Sequence, residues 1–420
     1  MRNPLSGLAL VICGLIVAPG STWAIESGDQ NSATANPRLT QFIQANVAVN
    51  PRVLAAQAAL RASGAKRSAA GRPLYNPELT LEAENSDTET RAVGLSQTLD
   101  WGGKGKARRA VADADRLVVE AEYLMIRWQV TVDLLGGLAQ YQTDLERDRL
   151  SAKRRQLMDE FAALARRRFA AGDLSQVELN LALLESTTAH IQKARAGIEL
   201  AGARQAVRNI APRSMQAEWP KLPVELPALP HEATNLQAFV KALPEVVSAR
   251  RQIDRADAVV ELRRRQQRMD PTVSLVGGKE EGESLVGLTL SIPLFVRNNF
   301  SFETDAALAE LNQTQQLADD VMQRAYARLV GAKERYQLSH QAWIEWQQTG
   351  QASLSKQNQQ LGKLWQAGDL STTGYLVQLR QTLDVQESVL ELREALWRAW
   401  FDWLWASGQV DVWLTQGVSK

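Results

Sequence analysis

The chain has 420 residues, enough for two or three ordinary domains. Its 48 basic and 47 acidic residues nearly cancel, so the composition excludes a strongly basic nucleic-acid-binding protein and a protein with an acidic tail. The only cysteine is Cys13. If a leader containing it is removed, the mature chain has no thiol for a disulfide, a thiolate metal site or a nucleophile.

The first 24 residues have the pattern of a secretory signal peptide. Arg2 supplies the positive charge, residues 8–17 form an apolar stretch, and Ala24 is the small residue at which cleavage is expected. We therefore expect the mature chain to begin near Ile25. Lipidation of Cys13 is the alternative, but a bulky isoleucine precedes this cysteine where a lipoprotein signal needs a small residue.

Two pairs of short strands are predicted, the first at 78–85 and 92–100 and the second at 272–279 and 285–293. Leucine and valine alternate with small or polar residues in each strand, which is the period of a strand with one apolar face. Such alternation is typical of membrane barrels, where lipid-facing and lumen-facing positions alternate. The predicted lumen-facing residues are Thr80, Glu82, Ser96, Thr98, Ser274, Thr289 and Ser291.

Each predicted strand is about as long as a tilted strand that crosses a bilayer. The aromatic residues that flank the strands fit a membrane-interface girdle; they are Tyr75, Trp101, Phe295 and Phe300. Four strands cannot close a barrel, and lipid does not tolerate an open sheet edge. Because three chains give twelve strands and room for a lumen, we expect a barrel shared by three chains.

Long helices follow each strand pair, at 107–170 and 176–209 and again at 301–366 and 372–407. These stretches contain no proline and little glycine, with Gly331 and Gly362 as isolated interruptions of the helical pattern in the third. A continuous helix over the first stretch would be about 95 Å long, which indicates an elongated coiled coil or helical array.

The pentapeptide AGDLS occurs at 171–175 and at 367–371, each time between two long helices. Its glycine favours a left-handed helix end, and its aspartate or serine favours the cap of the next helix. The chain therefore repeats one structural unit, at 25–210 and at 244–408. A proline-rich linker at 211–243 joins the units, and a C-terminal tail follows at 409–420.

Both copies of this motif, RRRFAAGDLSQVELNLALLE and KLWQAGDLSTTGYLVQLRQ, resemble the TolC-like outer-membrane efflux proteins. The stretches YNPELTLEAEN and GLSQTLDWGGKGKARRA are most similar to the CzcC-type heavy-metal (cobalt-zinc-cadmium) subgroup. The resemblance implies an α+β membrane protein of the Gram-negative outer membrane. It also implies a homotrimer with a shared 12-stranded β-barrel and a periplasmic α-helical barrel, embedded in outer-membrane lipid. The implied partners are a periplasmic membrane-fusion adaptor and an inner-membrane RND-type pump, and no nucleic acid.

Family members often place an acidic residue six positions after the tip glycine, where this chain has Glu178 in the first copy and Gly374 in the second. We expect a periplasmic aperture gate at Asp173, Glu178 and Asp369, although each acid equally suits a helix N-terminus. Adaptor docking is expected at the tips, with both leucines exposed; the docking residues are Gly172, Leu174, Ser175, Gly368, Leu370 and Ser371.

The three histidines, His190, His231 and His340, are far apart in sequence, and no motif supports an enzyme, a metal site or a cofactor. The leading hypothesis is a passive duct that exports substrate, in the first place heavy-metal cations. A TolC-like duct for drug efflux or type I secretion stays open. A periplasmic coiled-coil scaffold or adaptor, with the strands in a small soluble domain, stays open as well.

Overall fold

The structure is a computed structural model that describes residues 35, 37–85, 89–212, 219–223, 225–229, 236–367 and 370–416. The predicted signal peptide and Cys13 lie outside these residues. The elements in chain order are α1 (Pro37–Val49), α2 (Pro51–Ala70), β1 (Glu78–Asn85), β2 (Glu89–Thr98), α3 (Lys104–Ala170), α4 (Gln176–Ile210), α5 (Leu236–Ala242), α6 (Pro244–Gln266), β3 (Thr272–Glu280), β4 (Glu283–Ser291), α7 (Ser301–Glu345), a π-helical turn (Trp346–Gly350), α8 (Gln351–Ala367), α9 (Thr372–Ser407) and α10 (Val410–Gln416).

One order of elements occurs twice along the chain: a helix, two strands, a long helix and a returning helix. The leading helices α2 and α6 are additions to the layout expected from sequence. Helix α2 begins where the side chain of Asn50 accepts a hydrogen bond from the Arg52 amide at 2.9 Å, with Pro51 at the first helical position. This is a standard helix start, because proline needs no amide partner there.

Helix α3 runs unbroken for 67 residues, which corresponds to about 100 Å. In the second half, α7, the π-helical turn and α8 form one continuous helical path from residue 301 to 367. Gly331 and Gly362, the isolated glycines of this stretch, both lie inside helices, so neither interrupts the path. The irregularity lies instead at the π-helical turn, where the Trp346 ring occupies the space that a Cβ on Gly350 would need.

The four strands form one antiparallel sheet in the order β1-β2-β3-β4, which leaves β1 and β4 at its edges. Strand β2 begins three residues before its predicted start, because Glu89, Thr90 and Arg91 continue the ladder opposite β1. Backbone pairing does not require apolar side chains, so the hydrogen bonds between β1 and β2 extend beyond the residues that alternate between apolar and polar. Between β3 and β4, Glu281 and Gly282 both have positive φ, 51° and 88°, as a two-residue type I′ hairpin loop requires.

The main hydrophobic core lies where α1, α3, α5, α7, α9 and α10 meet. Trp397, Trp400 and Trp403 of α9 are buried there. The expected tail at 409–420 is instead largely helix α10, whose Trp413 and Leu414 are buried in this core. The segment expected to be only a linker also contributes buried apolar residues, among them Trp219, Leu222 and Leu229.

Within the described part of the chain, no helix combines the length and the apolar character needed to cross a membrane.

Candidate functional site

The strand register places the apolar residues of the sheet on one face. The central row crosses all four strands and consists of Leu79, Leu95, Leu275 and Leu288. The adjacent row consists of Leu81, Val93, Gly277 and Val286. These large side chains are exposed, with Leu288 at 75% and Leu95 at 54%. A continuous exposed apolar surface of this kind marks a site of contact with lipid or another protein.

The opposite face carries all seven residues predicted to line a lumen. Glu78, Ser96, Ser274 and Thr289 form one row of that face, next to the row that contains Thr80 and Gly94. The other predicted residues, Glu82, Thr98 and Ser291, lie on the same face by the two-residue period. Register thus confirms that they share one face; whether this face lines a lumen stays a prediction.

Close packing of β2 against β3 occurs on the polar face. Ala92 and Gly94 are buried there, whereas Val93 and Leu95 of β2 point outward. Gly278 lies opposite Ala92, and a Cβ on this glycine would overlap the Arg91 carbonyl oxygen and lie 2.7 Å from the Ala92 Cα. Only glycine fits that position without separating the two strands.

A buried ion pair holds the junction between the sheet and the helices. Asp270, directly before β3, is 4% exposed at its side chain and accepts from Lys104 Nζ at 2.9 Å and from the Tyr75 hydroxyl at 2.7 Å. The Gly102 amide donates to the same carboxylate at 3.3 Å. Burial alone would raise the pKa of Asp270, but hydrogen bonds from Lys104, Tyr75 and Gly102 outweigh it and hold the pKa below its usual range.

The turn that follows β2 starts α3 in an unusual way. The Asp100 carboxylate accepts from the amides of Lys104 and Gly105, both at 2.7 Å, and therefore satisfies two of the unpaired amides of the first helical turn. Gly103 has φ of 70°, in the left-handed region. The glycine-rich sequence at 102–105 is thus the start of the long helix.

The four predicted interface aromatics differ in their surroundings. Trp101 is 75% exposed, and the Phe295 and Phe300 rings pack edge to face with centroids 5.2 Å apart. Tyr75 is half-buried, and its hydroxyl donates a hydrogen bond to the Asp270 carboxylate. Burial and the hydrogen bond to the Asp270 carboxylate raise the pKa of Tyr75 to about 12. An interface role for the four residues stays a prediction.

The first AGDLS copy ends α3 as predicted. Gly172 has φ of 81°, and its amide donates to the Phe169 carbonyl at 3.0 Å, while the Asp173 amide donates to the Arg168 carbonyl at 2.9 Å. These two bonds form a Schellman motif, which satisfies carbonyls that the helix end leaves open.

Helix α4 then begins with a capping box. The Glu178 amide donates to Ser175 Oγ at 3.3 Å, and the Ser175 amide donates to Glu178 Oε2 at 3.0 Å. Hydrogen bonds from the Ser175 hydroxyl and amide lower the pKa of Glu178. The predicted gating acid therefore has a capping role in the protomer, and a gating role stays a prediction.

At the second tip, Gly368 and Asp369 lie outside the described residues. Ser371 caps α9 by accepting from the Gly374 amide at 3.1 Å. Gly374 occupies the position that Glu178 has in the first copy and offers no carboxylate to return the bond. The two caps therefore differ by one side chain.

The expectation that the tip leucines are exposed is wrong for Leu174. It is 9% exposed and belongs to a second apolar cluster that joins α3, α4, α8 and α9. Leu370 is half-buried and packs against the same cluster. The physical reason is that two helical hairpins converge here, so the leucine of each turn closes the end of a shared core. The cluster includes Met158, Phe161, Leu179, Leu361, Leu376 and Leu379.

Among the described residues, no three His, Cys, Asp or Glu side chains are grouped closely enough to hold a metal ion.

Comparison with known proteins agrees with this geometry. The cobalt-zinc-cadmium resistance protein CzcC of Cupriavidus metallidurans is 28% identical over 263 residues, which cover 60% of this chain and 62% of that protein. The outer membrane channel CmeC of Campylobacter jejuni superposes with a TM-score of 0.76 at 12% identity, and the match covers 94% of each chain. This chain has the fold of the TolC-like outer-membrane channels. The resemblance predicted from the sequence is confirmed.

The nickel-cobalt-cadmium resistance protein NccC of Alcaligenes xylosoxydans is also similar, at 25% identity over 348 residues that cover 77% of this chain and 73% of that protein. Models of known protein families give no match to the chain. The match to CzcC spans less than two thirds of that relative's length.

Proposed function

We propose that this TolC-like chain is the outer-membrane duct subunit of an efflux system, exporting substrate passively from the periplasm. The observation that carries the proposal is the leucine row through Leu79, Leu95, Leu275 and Leu288, exposed on a four-stranded sheet whose two edge strands are unpaired. Lipid against the leucine face would cover this surface. Because lipid cannot satisfy the backbone groups of an edge strand, the sheet has to be closed by further copies.

Three copies would supply twelve strands, the smallest number of copies of this sheet that leaves a lumen. The polar face with Ser96, Ser274 and Thr289 would then line the lumen. Below the barrel, α4 has an exposed apolar stripe at seven-residue spacing: Val177, Leu184, Ile191 and Ile198. That spacing is typical of helices that pack side by side in a coiled coil, which supports a helical tube that continues the barrel.

Heavy-metal cations are the substrate class we infer, because the printed names of CzcC and NccC both refer to resistance to such metals. The partners would be a periplasmic adaptor at the helical tips and an inner-membrane RND-type pump. No enzymatic step is part of this proposal. The same proposal includes a homotrimer in the outer membrane. It also includes the origin of the two halves of the chain from one duplicated unit.

At the tips, the exposed residues Gly172 and Ser175 suit adaptor docking better than the buried Leu174. The Asp173, Glu178 and Asp369 carboxylates would restrict the aperture by mutual repulsion if three copies bring them together. Glu178→Gln keeps a side chain that can complete the capping box but removes the charge. We expect it, combined with Asp173→Asn and Asp369→Asn, to raise the resting conductance of the trimer in a planar bilayer.

The deciding experiment is to isolate the outer membrane from cells expressing the full chain and to measure cobalt, zinc and cadmium export with and without the gene. A duct would be found in outer-membrane fractions as a trimer on unheated gels, and its loss would raise the cellular metal content. Recovery only as a soluble periplasmic protein would favour the scaffold hypothesis. Normal metal export with loss of drug export or protein secretion would keep the duct and change its cargo.

A further inference from the structure

A surface cavity of about 470 Å³ lies where the sheet meets the helices. The link from α2 to β1 forms one wall, and the end of β2 with the start of α3 forms the other. Its chemistry is set by six of the lining residues: Arg72, Leu74, Leu99, Asp100, Lys106 and Arg109. The cavity is large enough for a small ligand group, because small-molecule sites have volumes of about 300–1,000 Å³.

Hydrogen bonds to the main chain hold the walls of this cavity. The Arg108 guanidinium donates to the Arg72 carbonyl at 2.9 Å, which ties the link after α2 to α3. The Arg72 amide donates to the Ala69 carbonyl at 3.1 Å. On the other wall, the Leu99 amide donates to the Pro271 carbonyl at 2.9 Å, next to the end of β2. The cavity is therefore a fixed feature of the protomer.

The charged side chains around the cavity are mainly basic. Arg72, Lys106 and Arg109 are exposed, and Asp100 is the one acidic residue among the described residues that line the cavity. Both Asp100 oxygens already accept hydrogen bonds from amides of α3. In the described part of the chain, Arg72 and Lys106 make no ion pair, and Arg109 lies 4.0 Å from Asp113. The cavity therefore favours a ligand that carries negative charge.

The cavity adjoins the leucine face of the sheet. Leu99 shares this face with Leu95 by the two-residue period of the strand, and it is 47% exposed. Leu74, on the other wall, is half-buried. Trp101 is exposed two residues after Leu99, and tryptophan is enriched at the headgroup level of membranes. A ligand with an anionic head and apolar tails would find complementary surfaces for both parts side by side.

The other end of the sheet has the opposite charge. Among the described residues, the two hairpin ends carry five exposed glutamates and two basic residues; the glutamates are Glu84, Glu89, Glu280, Glu281 and Glu283, and the basic residues are Arg91 and Lys279. Arg91 pairs with Glu89. An anionic headgroup is therefore repelled from the hairpin end of the sheet and attracted to the end next to the helices.

We propose that the cavity binds the phosphodiester headgroup of an anionic phospholipid, whose acyl chains lie along the leucine face. Arg72, Lys106 and Arg109 hold the phosphate through charge-assisted hydrogen bonds, which are stronger than hydrogen bonds between neutral groups. A free phosphate ion would satisfy the same cations but leave Leu74 and Leu99 uncovered, and for this reason the lipid is favoured. This site rests on the proposed function, because the leucine face has to lie in the bilayer.

Native mass spectrometry of the full chain in detergent tests the site. After removal of bound lipid, phosphatidylglycerol is added back and compared with phosphatidylcholine, whose headgroup has no net charge. The wild type should prefer phosphatidylglycerol. Arg72→Gln with Lys106→Gln and Arg109→Gln should lower the affinity for this lipid by about 25-fold or more, because each unpaired cation near an anionic surface contributes about fivefold.

The matched control removes three exposed cations of α3 far from the sheet, in the variant Lys153→Gln with Arg166→Gln and Arg167→Gln. It changes the net charge by the same amount. Because Lys153 lies about 65 Å along the helix from Arg109, phosphatidylglycerol binding should stay at the wild-type level. Inorganic phosphate, added at the concentration of the lipid, should not displace phosphatidylglycerol from the wild type.

Three outcomes would contradict the site. Equal affinity for the two lipids, or an equal loss in the control variant, would overturn the headgroup site and leave the outer-membrane duct intact. Displacement by inorganic phosphate would identify a free anion as the ligand and overturn the phospholipid. A full chain recovered as a soluble protein that binds neither lipid would overturn both the headgroup site and the proposed function.

Discussion

Removal of the Asp270 carboxylate is the sharpest test of how the two halves of the chain are joined. Asp270→Ala leaves Lys104, whose side chain is 13% exposed, with its charge buried and unpaired. It also removes the acceptor of the Tyr75 hydroxyl and of the Gly102 amide. Breaking a buried ion pair by removing one partner costs about 3–5 kcal/mol of unfolding free energy.

The matched control removes both charges. Asp270→Leu with Lys104→Met leaves no buried ion. The remaining loss of unfolding free energy comes from the Tyr75 hydroxyl and the Gly102 amide, which lose the hydrogen bonds that they donate to Asp270, and is about 1–3 kcal/mol in total. Guanidinium unfolding of the detergent-solubilised protein, followed by far-ultraviolet circular dichroism, would measure both variants. The reasoning is refuted if Asp270→Ala costs less than about 1 kcal/mol, or if the double variant costs as much as the single one.

The pH dependence of the same cluster has a defined sign. Because the folded-state pKa of Asp270 is lowered, its stabilising contribution is present above the unfolded value of about 4 and is lost as pH falls through the folded value. The pKa of Tyr75 is raised to about 12, so its contribution is present below about pH 10 and is lost as pH rises toward 12. The free-energy difference between wild type and Asp270→Asn should therefore narrow below about pH 4.

Three further predictions concern the sheet and the tip. Leu288→Arg should impair outer-membrane assembly, because a charge on the lipid-facing side near the bilayer midplane costs about 2–4 kcal/mol of folding free energy. The control Thr289→Arg, on the opposite face, should assemble normally. Equal trimer yields of the two variants on unheated gels would contradict the assignment of faces. Gly278→Val should prevent β2 from pairing with β3, and trypsin should then cut within the strands. Leu174→Asp should cost about 2–4 kcal/mol, because it buries a charge in the tip cluster, while Leu174→Met should be nearly neutral in a thermal melt.

The two faces of the sheet were predictable from the sequence because successive side chains of a strand point to opposite faces, each with different surroundings. Leu95 and Ser96 differ in polarity for that reason, and the pairing of Leu95 with Leu79 and Leu275 follows once four such strands align. The ends of β2 were not predictable from the same signal. Its first residues, including Arg91, are held by main-chain hydrogen bonds, which the hydrophobicity pattern of the sequence does not predict.

The burial of Leu174 could not be predicted from its turn sequence. The local signals at Gly172 and Ser175 fix the helix end and the next cap, and both are found as expected. Whether the residue between them faces water depends on a second hairpin, which arrives about 200 residues later in the chain. Asp270 presents the same difficulty, since Tyr75 and Lys104 are far from it in sequence.

The proposed contacts between copies differ in their physical nature along the molecule. Strand pairing in lipid depends on main-chain hydrogen bonds, and the bilayer core contains no water that could replace them. This pairing should therefore respond little to salt. The contact between the helical parts of neighbouring copies lies outside the strands, where water and ions reach exposed charges and screen them within about 10 Å at ordinary ionic strength. High salt should therefore loosen the helical contact before the barrel. Trimers that survive high salt on unheated gels would show that strand pairing in the barrel alone holds the three copies together.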